Sequence, residues 1–212
     1  TVSQLGLSEN VVRAASRSVD FALGFFSKSD DFKALEKHIF QSSGNYLTKH
    51  SVALAYIASM ILKKSTWDSP ETRNKIVLAG FLHDASIKIT DFDEAHFNEG
   101  NDLLTLKEHP TEVLELINKI KNIPPDLDRI LLEHHERPDG SGYPRKLDGS
   151  QVHPLSSIFI LAHDVVDTIF KMKLENKALT DDNLQSEIKD EDYQSGHFKK
   201  ALAAFRETRL FK

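Results

Sequence analysis

The chain has no cysteine among its 212 residues, which excludes disulfides, zinc–thiolate sites and cysteine nucleophiles. It also has no apolar run of the roughly 18 residues that a membrane-spanning helix needs. The net charge is only −5 at pH 7, so the basic surplus typical of proteins that bind nucleic acids or membrane surfaces is missing. We therefore expect a cytoplasmic protein that contacts neither a nucleic-acid polymer nor a membrane.

A helical hydrophobic pattern runs along almost the whole sequence. With 40% hydrophobic residues, the chain is long enough for one substantial domain and at most a small appendage. No segment alternates with the period of two that a half-buried strand shows. Helices are predicted at residues 8–26, 48–64, 71–84, 110–121, 124–135, 155–173 and 197–209. The predicted fold class is all-α, a bundle of seven to nine helices.

The residues with candidate chemistry all lie after the first predicted helix. We predict a short N-terminal helical extension at residues 1–35 and a catalytic-type helical domain at residues 36–212. Two stretches, 90–107 and 136–153, are acidic or rich in glycine and proline and are predicted to be irregular. The glycines of the second stretch indicate a loop more mobile than the helices.

Histidine is the unusual residue type, with ten copies. Five histidines and two aspartates recur on or at the ends of predicted helices: His50, His83, Asp84, His109, His134, His135 and Asp164. A helical bundle can bring such positions together, because its helices pass back and forth beside one core. Adjacent residues on a helix point about 100° apart, so a His-Asp pair can straddle two ions if the carboxylate bridges them. Imidazole and carboxylate donors without thiols suit iron, manganese or zinc better than calcium or magnesium.

The other histidines have a simpler explanation. A single helical histidine is more often a core or surface residue than a ligand. We assign to that class His38, His96, His153, His163 and His197.

Residues 134–144 read HHERPDGSGYP and carry the most specific motif of the chain. They resemble the signature of the HD-GYP family, HHE-x-x-DG-x-GYP, at every fixed position. HD-GYP proteins are a branch of the HD-domain metal-dependent phosphohydrolases. Further segments resemble the family's other ligand helices: HSVALA at 50–55, FLHD at 81–84, EHP at 108–110 and LAHDVVDTI at 161–169. The resemblance covers roughly residues 45–180 and does not extend to residues 1–35.

The resemblance implies an activity and a set of site residues. Family members hydrolyse the bacterial second messenger cyclic di-GMP at a centre of two or three metal ions. One ion would be held by His50, His83, Asp84 and Asp164. The second would be held by His109, His134 and His135, with Asp84 bridging both. Catalytic roles fall to Asp84 and Lys88, and substrate contacts to Gly140, Gly142, Tyr143, Pro144 and Lys173. The expected metal is iron, with manganese and zinc as alternatives.

Four departures from the family pattern reduce the expected activity. Ile87 replaces a lysine near the scissile phosphate, with Lys88 one residue later. Tyr46 stands where many trimetal members have a glutamate ligand. Residues 173–176, KLEN, replace a basic segment that grips the nucleotide phosphates, and Ile158 replaces an arginine. We therefore expect two ions rather than three, and slow or altered hydrolysis.

Three functions stay open at this point. The first is a phosphodiesterase that linearises cyclic di-GMP. The second is a catalytically degenerate member that acts as a signalling or protein-interaction module, with the GYP loop and the N-terminal helices as contact surfaces. The third is a phosphohydrolase for another nucleotide, which ranks last because generic HD enzymes lack the GYP loop.

Overall fold

The computed structural model describes residues 9–26, 32–87, 107–118 and 123–211. This part of the chain contains nine α-helices and one short 3₁₀ helix, and its only strand-like pairing is an isolated bridge in the loop at 136–153. The prediction of an all-α fold is confirmed. Within these ranges, no helix is both long and apolar enough to cross a membrane.

The described helices are α1 Glu9–Phe26, α2 Phe32–Gln41, α3 Tyr46–Leu62, α4 Pro70–Leu82, α5 His109–Ile117, α6 Leu127–Glu133, α7 Pro154–Leu174, α8 Asp181–Glu187 and α9 Phe198–Glu207, with the 3₁₀ helix at Asp190–Tyr193 between α8 and α9. Most described connections between the helices are short, and the long one between α6 and α7 contains the loop at 136–153.

Three helices that supply site residues have well-defined starting points. The Asn45 side chain accepts a hydrogen bond from the Thr48 N–H at 2.9 Å and caps α3. Ser69 and Thr72 form a reciprocal capping box at the start of α4. Pro154 occupies the first turn of α7, where its missing N–H costs nothing. These caps set the register at which α3, α4 and α7 present their side chains to the core.

The centre of the molecule is α3, which packs against both α4 and α7. From Ala53 to Leu62 every side chain of α3 is buried, so this helix is apolar around its circumference. A helix of that kind is stable only when neighbours enclose it. The first turns of α3, which carry the buried His50, therefore lead directly into this enclosed core between α4 and α7.

The predicted boundary at residue 35 falls inside helix α2. The Phe32 N–H donates to the Leu210 carbonyl at 2.7 Å, and the Phe32 ring lies 5.6 Å from the Tyr56 ring and 5.7 Å from the Phe211 ring. The start of α2 is thus bound to α3 and to the C-terminal segment. How residues 1–35 should be divided from the rest stays a prediction.

Two short helices were missing from the sequence prediction. Helix α2 buries Phe32, Leu35 and Ile39 on one face, a helical spacing that was present in the sequence. Helix α8 is only seven residues long and mostly polar, so it has little hydrophobic periodicity to detect. The predicted irregular stretch at 90–107 lies outside the described residues except for its last position.

Helices α3 and α4 approach each other closely at Gly80, which leads to a stability prediction. A Cβ atom at Gly80 would lie 2.8 Å from the Ala55 Cα, so Gly80→Ala must push the two helices apart. Overpacking of this kind costs about 1–3 kcal/mol. Each kcal/mol of lost stability lowers the Tm of a chain of this size by about 2–4 °C. Thermal unfolding followed by circular dichroism should therefore show a clearly lower Tm for Gly80→Ala.

Gly24→Ala in α1 is the matched control, because a Cβ there meets nothing within 4 Å. Alanine is favoured over glycine in a helix by about 0.8–1 kcal/mol, so the control should keep or raise the Tm. The close approach at Gly80 is contradicted if the two variants unfold at the same temperature.

Candidate metal centre

All five histidines predicted from the sequence lie in one cluster. Ring centroids are 5.4 Å apart for His50 and His83, 5.3 Å for His83 and His134, and 4.9 Å for His109 with either His134 or His135. His50 lies in α3, His83 follows α4, His109 begins α5, and the pair follows α6. The ends of four helices therefore meet at one buried point.

Backbone carbonyls orient two of these rings. The His83 Nδ1 lies 3.0 Å from the Gly80 carbonyl oxygen, and the His134 Nδ1 lies 2.7 Å from the Leu131 carbonyl oxygen. A carbonyl only accepts, so each Nδ1 carries the hydrogen. In the neutral imidazole the lone pair is then on Nε2, and the His134 Nε2 lies 2.8 Å from the His109 Nε2. Outer hydrogen bonds of this type commonly fix metal-binding histidines.

Asp84 lies between the two sets of histidines. Its Oδ2 is 3.0 Å from the His83 Nε2, and its Oδ1 is 3.3 Å from the His109 Nε2. Burial by itself would raise the pKa of Asp84, but His83 and His109 more than offset this and hold the pKa well below its usual range. Asp84 is therefore ionised and directs one oxygen at each side of the cluster.

The histidine pair after α6 is held neutral. Burial, followed by the neighbouring histidines, lowers the pKa of both His134 and His135 well below the usual value. Neutral imidazole is the form that coordinates a metal ion. The pair therefore has the protonation state of a ligand without any need to lose a proton at neutral pH.

His163 also belongs to this cluster, so its prediction as an ordinary core or surface histidine is wrong about its position. Its ring centroid is 4.7 Å from that of His50 and 5.3 Å from that of His135. The available signal was the second His-Asp dipeptide at 163–164, with Asp167 one helical turn later. Four other histidines were predicted not to be ligands. His96 lies outside the described residues, and none of the groups of converging donor atoms contains His38, His153 or His197.

Asp167 connects two histidines of the cluster. Its Oδ1 accepts a hydrogen bond from the His50 Nε2 at 3.0 Å, and its Oδ2 lies 3.1 Å from the His163 Nδ1. Burial opposes ionisation, yet His163 and His50 together lower the pKa of Asp167 far below its usual value. Because the His50 Nε2 donates to a carboxylate, its neutral ring has the lone pair on Nδ1.

The contacts of Asp164 differ from those expected of its predicted role as a metal ligand. The Tyr193 hydroxyl donates to Oδ2 at 2.6 Å, and the Arg137 guanidinium lies 3.1 Å from Oδ1. Both oxygens therefore have donors, neither of which the sequence analysis had singled out. Burial raises the pKa of Asp164, with Arg137 and Tyr193 acting in the opposite direction.

The donor atoms fit a metal ion. Three groups converge to within 4.8 Å: His50, His83 and His163; His109, His134 and His135; and His163, Asp164 and Asp167. Buried nitrogens without an aligned hydrogen-bond partner in the described structure are His50 Nδ1, His83 Nε2 and His163 Nδ1. Two of them lie near carboxylate oxygens but not in hydrogen-bonding alignment. An unsatisfied buried polar atom costs about 1–3 kcal/mol, and coordination of a cation would remove that cost.

The GYP loop folds back onto the histidine pair. Glu136 is fully buried and accepts hydrogen bonds from the Arg145 N–H at 2.7 Å and the Leu147 N–H at 2.8 Å. Tyr143 stacks on His135 with ring centroids 4.8 Å apart. A Cβ at Gly142 would lie 2.3 Å from the Arg137 nitrogen, so only glycine permits this turn. These contacts anchor the loop from inside, and its mobility relative to the helices stays a prediction.

The remaining predicted site residues lie in varied surroundings. Gly140 has a φ of +78° in the loop, and Pro144 is exposed beside the buried Gly142. Lys173 forms an ion pair with Glu36 of α2 and lies over the Phe40 ring, so its described contacts are not with the histidine cluster. Lys88 lies outside the described residues.

A cavity of about 640 Å³ opens beside the cluster. Arg137 and Asp164 line it, and so do parts of the GYP loop and the segment after α8. Its charged lining residues are Arg137, Lys189, Asp139, Asp164, Glu187, Glu191 and Asp192. Carboxylates outnumber cations in this lining, so the protein's own side chains make it a poor receptor for a phosphate diester.

The fold and the buried histidine–aspartate cluster together define a helical domain with a candidate metal centre. The family model of the HD domain matches residues 34–192. The chain belongs to the HD-domain family, whose members bind divalent metals, and it is a divergent member of the HD-GYP branch.

Two known proteins are similar to the chain. The cyclic di-GMP phosphodiesterase response regulator RpfG of Xanthomonas campestris pv. campestris is 29% identical over 134 residues, which cover 61% of this chain and 35% of RpfG. The solved structure of Bd1817, an HDG"Y"P protein from Bdellovibrio bacteriovorus, matches with a TM-score of 0.61 at 17% identity. That match covers 92% of this chain and 61% of Bd1817. The chain thus spans about a third of RpfG and less than two thirds of Bd1817.

The anchoring role of Glu136 leads to a prediction about the loop. Glu136→Gln leaves one amide oxygen as the only acceptor for two buried N–H groups. Losing one such bond costs about 1–3 kcal/mol, so the amides of Arg145 and Leu147 should exchange about tenfold faster. Hydrogen-exchange mass spectrometry of a peptide covering residues 143–148 measures this.

Ser141→Ala serves as the control, because it removes only an exposed hydrogen bond to Asp139. It should leave exchange in this peptide unchanged. Equal protection in Glu136→Gln and the unmodified chain would mean that Glu136 does not hold the loop.

Proposed function

We propose that this chain is a metal-dependent phosphodiesterase that hydrolyses cyclic di-GMP slowly at a binuclear centre. The observation that carries the proposal is the position of Asp84, which directs one oxygen toward His83 and the other toward His109. Membership of the HD-GYP branch and the similarity to the cyclic di-GMP phosphodiesterase RpfG support the choice of reaction.

The two ions would lie on either side of Asp84. His50 and His83 would hold the first, and His109, His134 and His135 the second. Iron is the proposed metal and manganese or zinc the alternatives, because the donors are imidazoles and a carboxylate. The buried Tyr46 ring stacks on His50 at 5.5 Å, so an aromatic side chain occupies the position of the glutamate that a third ion would need.

When bound, two divalent ions lower the pKa of a water molecule and offset charge on the phosphoryl oxygens. The protein keeps the ligands in place and in the protonation state that coordination requires, which is neutral for the imidazoles and ionised for Asp84. The Gly80 and Leu131 carbonyls hold the His83 and His134 rings in the required tautomer. The low pKa of Asp84 keeps a negative charge between the two sets of histidines.

The side chains expected near the substrate phosphates support slow turnover. Lys173 is paired with Glu36, and Arg137 is paired with Asp164, so neither cation is available to a phosphate without breaking an ion pair. Ile87, at the family's lysine position, is half-buried and apolar. Removing one contact that stabilises transition-state charge commonly costs about 2.7–4 kcal/mol, or roughly 10²–10³ in rate.

A second function is favoured by the acidic cavity. Its carboxylates would repel the two phosphates of a cyclic dinucleotide, whereas the HD-GYP fold around them is intact. A catalytically degenerate domain that acts as a signalling or protein-interaction module would have these properties. Turnover of cyclic di-GMP separates the two functions.

The binuclear proposal predicts about two equivalents of iron, manganese or zinc in protein purified without chelators, measured by elemental analysis. Asp84→Ala should weaken both ions, because the carboxylate belongs to both ligand sets. Asp128→Ala, which removes an exposed aspartate in the first turn of α6, should leave the content unchanged. A folded protein that takes up no metal would refute the centre. Loss of a single ion in Asp84→Ala would refute only the bridge.

The activity proposal predicts slow release of linear product from cyclic di-GMP, followed by chromatography with iron or manganese restored anaerobically. Ile87→Lys should raise the rate because it returns a cation to the family's position, whereas Ile87→Met, of similar length and without charge, should not. Lys88→Ala reports whether Lys88 already supplies that charge.

Turnover at about 10 s⁻¹, an ordinary enzyme rate, that is unaffected by Lys88→Ala would contradict the proposed loss of phosphate contacts. If neither the unmodified chain nor Ile87→Lys turns over with both metals bound, the interaction module is the better description.

A further inference from the structure

With His50, His83 and Asp84 the first ion of the proposed centre would have three protein ligands, one fewer than the family resemblance implies. The resemblance to the HD-GYP family implies Asp164 as the missing ligand. The structure contains a second candidate, His163, which is the neighbouring residue on α7. The contacts of these two side chains distinguish between them.

His163 lies within the donor group. One nitrogen of its ring is within 4.8 Å of donor atoms from both His50 and His83. The side chain is only 8% exposed, and its Nδ1 is buried without an aligned hydrogen-bond partner. His50 and His83 each have a buried nitrogen in the same condition. One donor nitrogen from each of three imidazoles, carried by α3, the end of α4 and α7, thus converges to within 4.8 Å, which is the pattern expected of a coordination site.

Asp164 is paired with two residues that do not belong to the histidine cluster. Its Oδ2 accepts from the Tyr193 hydroxyl at 2.6 Å and from the Arg137 Nη1 at 3.4 Å, and its Oδ1 lies 3.1 Å from the Arg137 Nη2. Arginine keeps its charge at any pH that the protein survives. An ion bound to the same carboxylate would lie close to that positive charge and would be repelled by it.

Asp167 supports the same assignment. Its oxygens lie 3.0 Å from the His50 Nε2 and 3.1 Å from the His163 Nδ1, so a single carboxylate contacts both rings. Carboxylates that hold metal-binding histidines from outside fix the ring orientation and increase the basicity of the ligand. Asp167 is thus a positioning residue for two ligands at once.

We propose that His163, rather than Asp164, completes the ligand set of the first ion, with Asp167 orienting His50 and His163. This inference rests on the proposed metal centre. It also changes the chemistry of the site, because a neutral imidazole replaces a carboxylate. Three imidazoles on the first ion favour zinc and iron over manganese and magnesium, for which carboxylate oxygen is the better donor.

The test compares zinc binding by the unmodified chain, His163→Ala and Asp164→Asn, using a competing chromophoric chelator and elemental analysis. His163→Ala should weaken one of the two zinc ions about tenfold or more, because even an outer-shell partner contributes roughly 10–100-fold to metal affinity. Asp164→Asn keeps an acceptor for Tyr193 and should still bind two ions. Circular dichroism checks that both variants are folded.

A second measurement uses the unmodified chain and does not depend on how the variants fold. Zinc binding changes the ¹⁵N shift of each coordinating imidazole nitrogen in protein labelled with ¹⁵N-histidine. With His163 as a ligand, six of the ten histidines should change in this way. With Asp164 as the ligand, the set is five.

Each result decides the inference. The inference is overturned if Asp164→Asn weakens the binding of a zinc ion, whether or not His163→Ala does so too. It is also overturned if neither variant changes zinc binding, or if only five histidine signals change. In all those cases the binuclear centre itself remains. If the unmodified chain binds neither zinc nor iron, the proposed function falls together with the inference.

Discussion

The position of the Asp84 carboxylate is the constraint on which the rest of the site depends. It is a buried negative charge between two sets of imidazoles, and such a charge is tolerated only with compensating partners. The Nε2 atoms of His83 and His109 approach its two oxygens at 3.0 and 3.3 Å, and metal ions held by these histidines would supply the compensating charge. The helices that carry these residues must therefore end at the same point. Displacing either end would separate the Asp84 carboxylate from the imidazoles that approach it.

The fold meets this constraint with outer contacts that each fix one ring. Backbone carbonyls hold the His83 and His134 rings, and the Asp167 carboxylate holds His50. The GYP loop contributes through Tyr143, which stacks on His135. The loop is itself held by the buried Glu136, so the loop and the histidine pair behave as one structural unit.

The substrate side of the site has diverged further than the metal side. Ile87 and Ile158 replace cations of the family pattern. Lys173 and Arg137 form ion pairs, and carboxylates outnumber cations in the lining of the adjacent cavity. Metal ions would offset part of this negative charge, which agrees with an enzyme that binds its substrate weakly and relies on its metals for charge stabilisation. A binding module that keeps the metal cage for structural reasons would show the same asymmetry, since bound metal also stabilises the fold.

The sequence by itself determined the all-α class, most of the helices and the five histidines and Asp84 that converge, because helical periodicity and a specific motif are local properties of the chain. It could not determine how the residues of α7 point, because neighbouring positions on a helix differ only by a rotation of about 100°. Because α7 packs against α3, His163 and Asp167 lie beside His50. Asp164 instead pairs with Arg137 and Tyr193. Those partners come from distant parts of the chain, so only the tertiary structure decided which residue of the second His-Asp dipeptide faces the cluster.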